Sequence, residues 1–327
     1  MKTRFVKNFL PYALAIITTG ALPAAETITL AGHDEALVAI VKLWSAGFSK
    51  LHPDLTPLVV LELPAPKAGQ GALDDPTAPP LAPDLLRFGP TAWTISAREQ
   101  NEFLQKHGRP PLELTIGFGA ATSKGKPHAI GIFVHPENPL RRLTLAQVDA
   151  AFSADRRRGH REIGTWGDLG LTGEWAALPI RPMGRRLNNT VAASLREILL
   201  LGGEFKPGYK EAADSVAAVA AVAADRQAIG FFGLGFATSG VRALALAEEE
   251  GGPFIEPTES SVAAGTYPLR RDFRLLLDWP PGPAGLSPTV RRFLDYLFSA
   301  EAQAILTAEG LFPLPPKVLT AERAKIK

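Results

Sequence analysis

The chain has 327 residues, 46% apolar and 21% charged, which suits a folded protein of two ordinary lobes and excludes a disordered one. It contains no cysteine, which excludes disulfides, thiolate metal ligands, a thiol nucleophile and a lipidated cysteine anchor. The formal charge of +2 becomes about −1 once an N-terminal leader takes Lys2, Arg4 and Lys7 with it, so nothing in the charge calls for nucleic acid as a partner.

Residues 1–25 carry that leader. Its three basic residues precede "FLPYALAIITTGAL", an apolar run too short to span a bilayer, and "PAAE" supplies small residues for cleavage after Ala24 or Ala25. A cleaved secretory signal peptide and a freely diffusing periplasmic protein are expected. No later run approaches the length of a membrane helix.

"ETITLAG" (26–32) alternates as a strand does. "HDEALVAIVKLWSAGFSKLHP" follows at helical spacing, with Leu37, Ile40, Val41, Trp44 and Phe48 on one face, and "LTPLVVLEL" is a second strand. The β-α-β order favours a parallel sheet. Residues 64–90 are rich in Pro, Gly and Ala and read as loop leading to a strand near Leu85–Phe88. "SAREQNEFLQKHG" is a helix with a Ser96 cap and a Gly108 stop, and "LELTIGFGAAT" a strand.

"HAIGIFVHPENP" is a strand closed by a turn, and "LTLAQVDAAFSA" a helix capped by Thr144. "RRRGHR" is a surface excursion and "GTWGDLG" a turn. "ALPIRPMG" is a strand feeding the helix in "GRRLNNTVAASLREILLLGG". "DSVAAVAAVAADRQA" is a helix with a Ser/Asp cap, "IGFFGLGFA" a strand and turn, and "YPLRRDFRLLLDW" a strand. "SPTVRRFLDYLFSAEAQAILTAEG" is a helix pair broken near Ser299.

The order of "IFVHPENPLRRLTLAQVDAAFS", "TWGDLG", the helix at Asn188–Thr190, "VAADRQAIGFFGLGFA", "GTYPLRRDF" and "FLDYLFSAEAQAILTAEGLFPL" resembles the phosphate-type periplasmic substrate-binding proteins of ABC importers. "AGHDEALVAIVKLWSAGFSKLHPDL" is similar to that family's first strand and helix. The resemblance implies an α/β, periplasmic-binding-protein-like fold: two α/β lobes with mixed sheets, joined by a two-strand hinge. Lobe 1 would be residues 26–125 plus 237–327, and lobe 2 residues 126–236. It implies a monomer that binds a small anion or polar solute in the interlobe cleft, without catalysis, and delivers it to an ABC permease.

Three helix starts would converge on that cleft and offer unpaired N–H groups to an anion. At the first, Gly32 is followed by His33 and Asp34, where the family places a hydroxyl. His33 can donate and Asp34 can accept the proton of a monohydrogen anion, or either residue simply caps the helix. At the second, Gly89, Pro90 and Thr91 stand where the family has a Ser-Arg pair, and a Gly-Pro turn packed under Trp93 is the plainer reading. At the third, Arg185 precedes Asn188, Asn189 and Thr190, where the family has Gly-Ser-Gly-Thr-Arg. Thr190 keeps a hydroxyl, but Val191 replaces the arginine, and Asn188 or Asn189 makes a good N-cap whatever the function.

"PAPKAGQGAL", after the second strand, has glycines but no hydroxyls. The phosphate set is therefore altered at every checkpoint, and each lost charge-assisted bond is worth roughly 1.5–3 kcal/mol. A solute-binding protein with a rewritten site is expected; the alternative is an envelope scaffold or interaction protein that keeps the fold without binding. The six histidines lack metal-site spacing, no G-x-S-x-G elbow is present, and neither cofactor nor enzyme activity is expected.

Overall fold

The computed structural model describes residues 28–32, 35–55, 58–62, 85–90, 97–123, 125–279 and 286–326. The leader, the Pro/Gly/Ala-rich stretch up to residue 84, and His33, Asp34, Thr91, Trp93 and Ser96 lie outside the described residues.

β1 (Thr29–Gly32), α1 (Glu35–Leu51) and β2 (Val59–Glu62) form the expected β-α-β unit, with Thr29 opposite Val59 in a parallel ladder. The apolar stripe of α1 is its buried face, and Trp44 donates from Nε1 to the Ala302 carbonyl at 2.8 Å. β3 (Leu85–Pro90), α2 (Ala97–His107) and β4 (Leu112–Phe118) complete the first run; Gly108 ends α2 at φ +67°, a left-handed position that suits glycine.

The chain then enters a second sheet. β5 (Ile130–Val134), β6 (Arg142–Thr144) and α3 (Leu145–Phe152) come first, the helix opened by a capping box in which Thr144 and Gln147 exchange side-chain-to-backbone bonds. β7 (Arg181–Arg185), α4 (Thr190–Ile198), β8 (Lys210–Ala212), α5 (Ser215–Ala224) and β9 (Ala228–Gly233) follow, α5 capped by Asp214. β10 (Arg242–Ala243), β11 (Ala245–Ala247) and α6 (Glu259–Ala263) precede the return strand β12 (Asp272–Leu277). α7 (Pro288–Leu297), α8 (Ala300–Ala308) and α9 (Pro316–Ala324) end the chain, and Ser299 caps α8 where the helix pair was expected to break.

Both large sheets are mixed. The first has the order β2-β1-β3-β12-β4, with β12 antiparallel to both neighbours; the second has the order β10-β5-β9-β7-β8. Each sheet has its own core. Trp44, Phe48, Phe88, Phe118 and Phe293 lie in the first, and Phe133, Phe152, Trp166, Phe231 and Phe232 in the second.

The chain passes between the sheets twice, once between β4 and β5 and again before β12, and Gly119 N donates to Arg271 O at 2.7 Å where the passages meet. Val241, Leu244, Leu246, Val262, Tyr267 and Leu269 pack in the second core. All six follow Phe236 in the chain.

The "RRRGHR" loop is exposed at Arg157, Gly159 and Arg161 but anchored at Arg158. Arg158 donates from Nε to Leu199 O and from Nη2 to Ile198 O, both at 2.7 Å, so it caps the carbonyl end of α4. Its backbone N–H donates at 2.8 Å to Asp149, a fully buried carboxylate whose pKa burial raises.

Candidate functional site

The third of the expected helix starts is the best described. β7 brings Gly184 against the Phe231 ring so closely that a Cβ there would come within 2.6 Å of it. The strand then delivers Arg185, half-buried, to the start of α4. Burial lowers the pKa of the guanidinium, and nearby Asp214 acts in the opposite sense.

Arg185 donates from Nε to Asn189 Oδ1 at 3.4 Å and from Nη1 to Ala213 O at 3.2 Å. The Tyr209 hydroxyl donates to the Arg185 carbonyl at 2.5 Å, and Leu187 N donates to Glu211 at 3.0 Å. Burial pushes the Tyr209 phenol up, so it stays a donor at any physiological pH.

Asn189 is the N-cap of α4. The same Oδ1 that accepts from Arg185 also accepts from Val191 N at 3.0 Å. One amide oxygen thus takes a guanidinium N–H and a first-turn N–H, two donors that a bound oxyanion would otherwise use. Asn188 is exposed beside it, and Thr190 begins the helix.

The other expected residues sit in the first sheet. Gly32 ends β1 opposite Glu62 and Phe88, and a Cβ there would lie 2.4 Å from the Phe88 ring, so packing alone requires its small size. Gly89 is buried near the end of β3, opposite Arg274 of β12. Arg185 and Asn189 are brought into direct contact. Among the described residues, no hydrogen bond links Gly32 or Gly89 to that pair.

Sequence reasoning missed Tyr209, Glu211 and Asp214 as the surroundings of Arg185. They follow α4 by more than ten residues, and only the β7–β8 pairing, with Arg185 opposite Ala212, brings them alongside. Among the described residues, no group of three histidines and carboxylates could hold a metal ion, and no helix is long and apolar enough to cross a membrane.

Comparison with known proteins agrees with this architecture. The family model of a PBP superfamily domain matches residues 18–301. The phosphate-binding protein PstS of Pseudomonas aeruginosa is 33% identical over 292 residues, which are 89% of this chain and 83% of that protein. Among solved structures, PstS from Borrelia burgdorferi superposes with a TM-score of 0.57 at 13% identity, covering 89% of this chain and 99% of that one. An ABC-type phosphate transport receptor from Vibrio cholerae gives 0.54 at 18% identity, covering 88% and 100%. At those identities the structures speak to the fold, and the sequence matches speak to the family. The chain belongs to the PBP superfamily and, within it, to the phosphate-type substrate-binding proteins of ABC importers.

Proposed function

We propose that this substrate-binding protein works in the periplasm, taking a small anion or polar solute into a cleft between its two lobes and presenting it to an ABC permease without chemistry. The lobes would be the two packing units, turning about the paired passages at Gly119 and Arg271. Arg185, Asn188, Asn189 and Thr190 would contribute from the second lobe. Gly32, His33, Asp34, Gly89 and Thr91 would face them from the first.

The observation that carries the altered-site reading is Asn189 Oδ1, held between Arg185 and Val191 N. A phosphate entering here must displace that oxygen or bind beside it, using fewer donors than an open helix start provides. The site is therefore suited to a ligand that the asparagine amide can itself help to bind, because the amide offers both a donor and an acceptor. The related proteins are named for phosphate, so phosphate is the first compound to try.

Thermal unfolding of the mature protein against phosphate, sulfate, phosphonates and neutral polar metabolites tests this reading. A true ligand at 100 times its dissociation constant adds about 2.7 kcal/mol of stability. The same Asn189 contact favours a second reading, a scaffold whose anion seat is filled from within. No stabilisation by any compound in the panel would sink the binding reading and leave that one.

A further inference from the structure

At the other end of β7 from Arg185 lies a cavity of about 490 Å³, within the usual range for small-molecule sites. Arg181 opens the strand there, so about 13 Å of strand separates the cavity from the α4 start. Arg156, Arg181, Lys206 and Lys210 line it, against a single carboxylate, Glu162.

Two of the four cations are paired with carboxylates, Arg181 through a direct hydrogen bond and Arg156 only loosely. Arg181 pairs with Asp225 at 3.0 Å, and Arg156 approaches Glu162 only to 3.9 Å, the carboxylate being largely exposed. Lys206 donates to the Ile163 carbonyl at 2.6 Å and has no carboxylate within ion-pair distance among the described residues. Burial lowers its pKa, and nearby Glu162 raises it. The Lys210 side chain has no hydrogen-bond or ion-pair partner among the described residues and is exposed on the edge strand.

The backbone adds a second observation. Arg156 adopts φ +51°, a left-handed conformation that a non-glycine residue holds only when its surroundings impose it. Here its N–H donates to buried Ser153 Oγ at 3.1 Å, and its carbonyl accepts from Gly159 N at 2.9 Å. Glycine would fill this position more easily, yet the chain places a guanidinium at the cavity wall. Gly164 and Gly208 also line the cavity, and a Cβ at either would meet nothing within 4 Å, so the space beside them is open.

We propose that this cavity is a second anion site, separate from the solute cleft, that takes a small polyvalent phosphoryl compound such as a pyrophosphate or phosphate ester. The phosphoryl oxygens would accept from Lys206, Lys210 and the Arg156 guanidinium. Ile163, Ile180 and Pro182 would form the apolar wall against the rest of the molecule. The site does not depend on which solute the cleft takes.

Calorimetric titration of the mature protein with inorganic pyrophosphate tests this. Saturable binding should persist in Arg185→Gln and weaken about tenfold in each of Arg156→Gly and Lys210→Glu. Arg156→Gly removes the guanidinium while relieving the backbone, so its thermal midpoint should not fall, and Lys210→Glu on an exposed strand gives an independent reading should it do so. No saturable binding would overturn the proposal. So would a loss that follows Arg185→Gln instead, or an equal loss in Lys42→Glu on the exposed face of α1, which would make it a general charge effect.

Discussion

Asn189 Oδ1 does two jobs at one point: it caps α4 through Val191 N and satisfies Arg185 Nε. Replacing Asn189 by glycine keeps an acceptable N-cap residue, at a cost of only a few tenths of a kcal/mol, and frees both donors. We expect Asn189→Gly to raise affinity for phosphate or sulfate over the natural protein, read by titration calorimetry. An unchanged or lower anion affinity would show that the amide oxygen is no competitor. The cap itself was readable from "NNT" before the helix, because capping depends on a few consecutive residues. The contact with Arg185 was not readable, because it depends on how β7 turns into α4.

At the scale of elements, the basic loop and α4 form one unit. Arg158 satisfies two carbonyls at the end of α4, and its backbone N–H bonds buried Asp149 of α3. Arg158→Met keeps much of the apolar stem but leaves those carbonyls unbonded and removes a compensating charge from the carboxylate. A loss of roughly 2–4 kcal/mol is expected, seen as a lower urea midpoint with an unchanged slope. A midpoint within error of the natural protein would refute the capping role. Most helices were legible from caps and apolar spacing: Thr144, Asp214 and Ser299 each begin the helix they were expected to begin. β6, β8, β10 and β11 were not legible, since strands of two or three residues carry no period.

For the whole molecule, the informative group is His128, on the first passage between the sheets. It is buried against Gly233 and Gly235, its Nε2 donates to Ser123 O at 2.5 Å, and Phe236 lies edge-on with centroids 5.6 Å apart. Burial lowers its pKa, the Ser123 carbonyl acts to raise it, and Arg271 from the second passage lowers it further. The unfolded chain therefore binds this proton more readily than the folded one. The contribution is fully present above about pH 6.5 and is lost as pH falls from there towards the depressed folded value. His128→Gln should flatten that part of the pH profile, measured as the difference in urea midpoint between the two proteins at pH 5 and pH 7.5. A difference that does not change with pH would refute the assignment.

The sequence by itself determined the alternation of strands and helices, the caps and the family, because these rest on local spacing and on the order of motifs along the chain. Tertiary structure decided what the motifs do together. It places Arg185 beside Tyr209 and Asp214 through strand pairing, and it packs Val241, Leu244, Val262, Tyr267 and Leu269 in the second core. It also gathers Arg156, Arg181, Lys206 and Lys210 around one cavity although 54 positions separate the first from the last. The physical reason is the same in each case: hydrogen bonds and charges act over a few ångströms of space, and separation along the chain does not report that distance until the sheets are assembled.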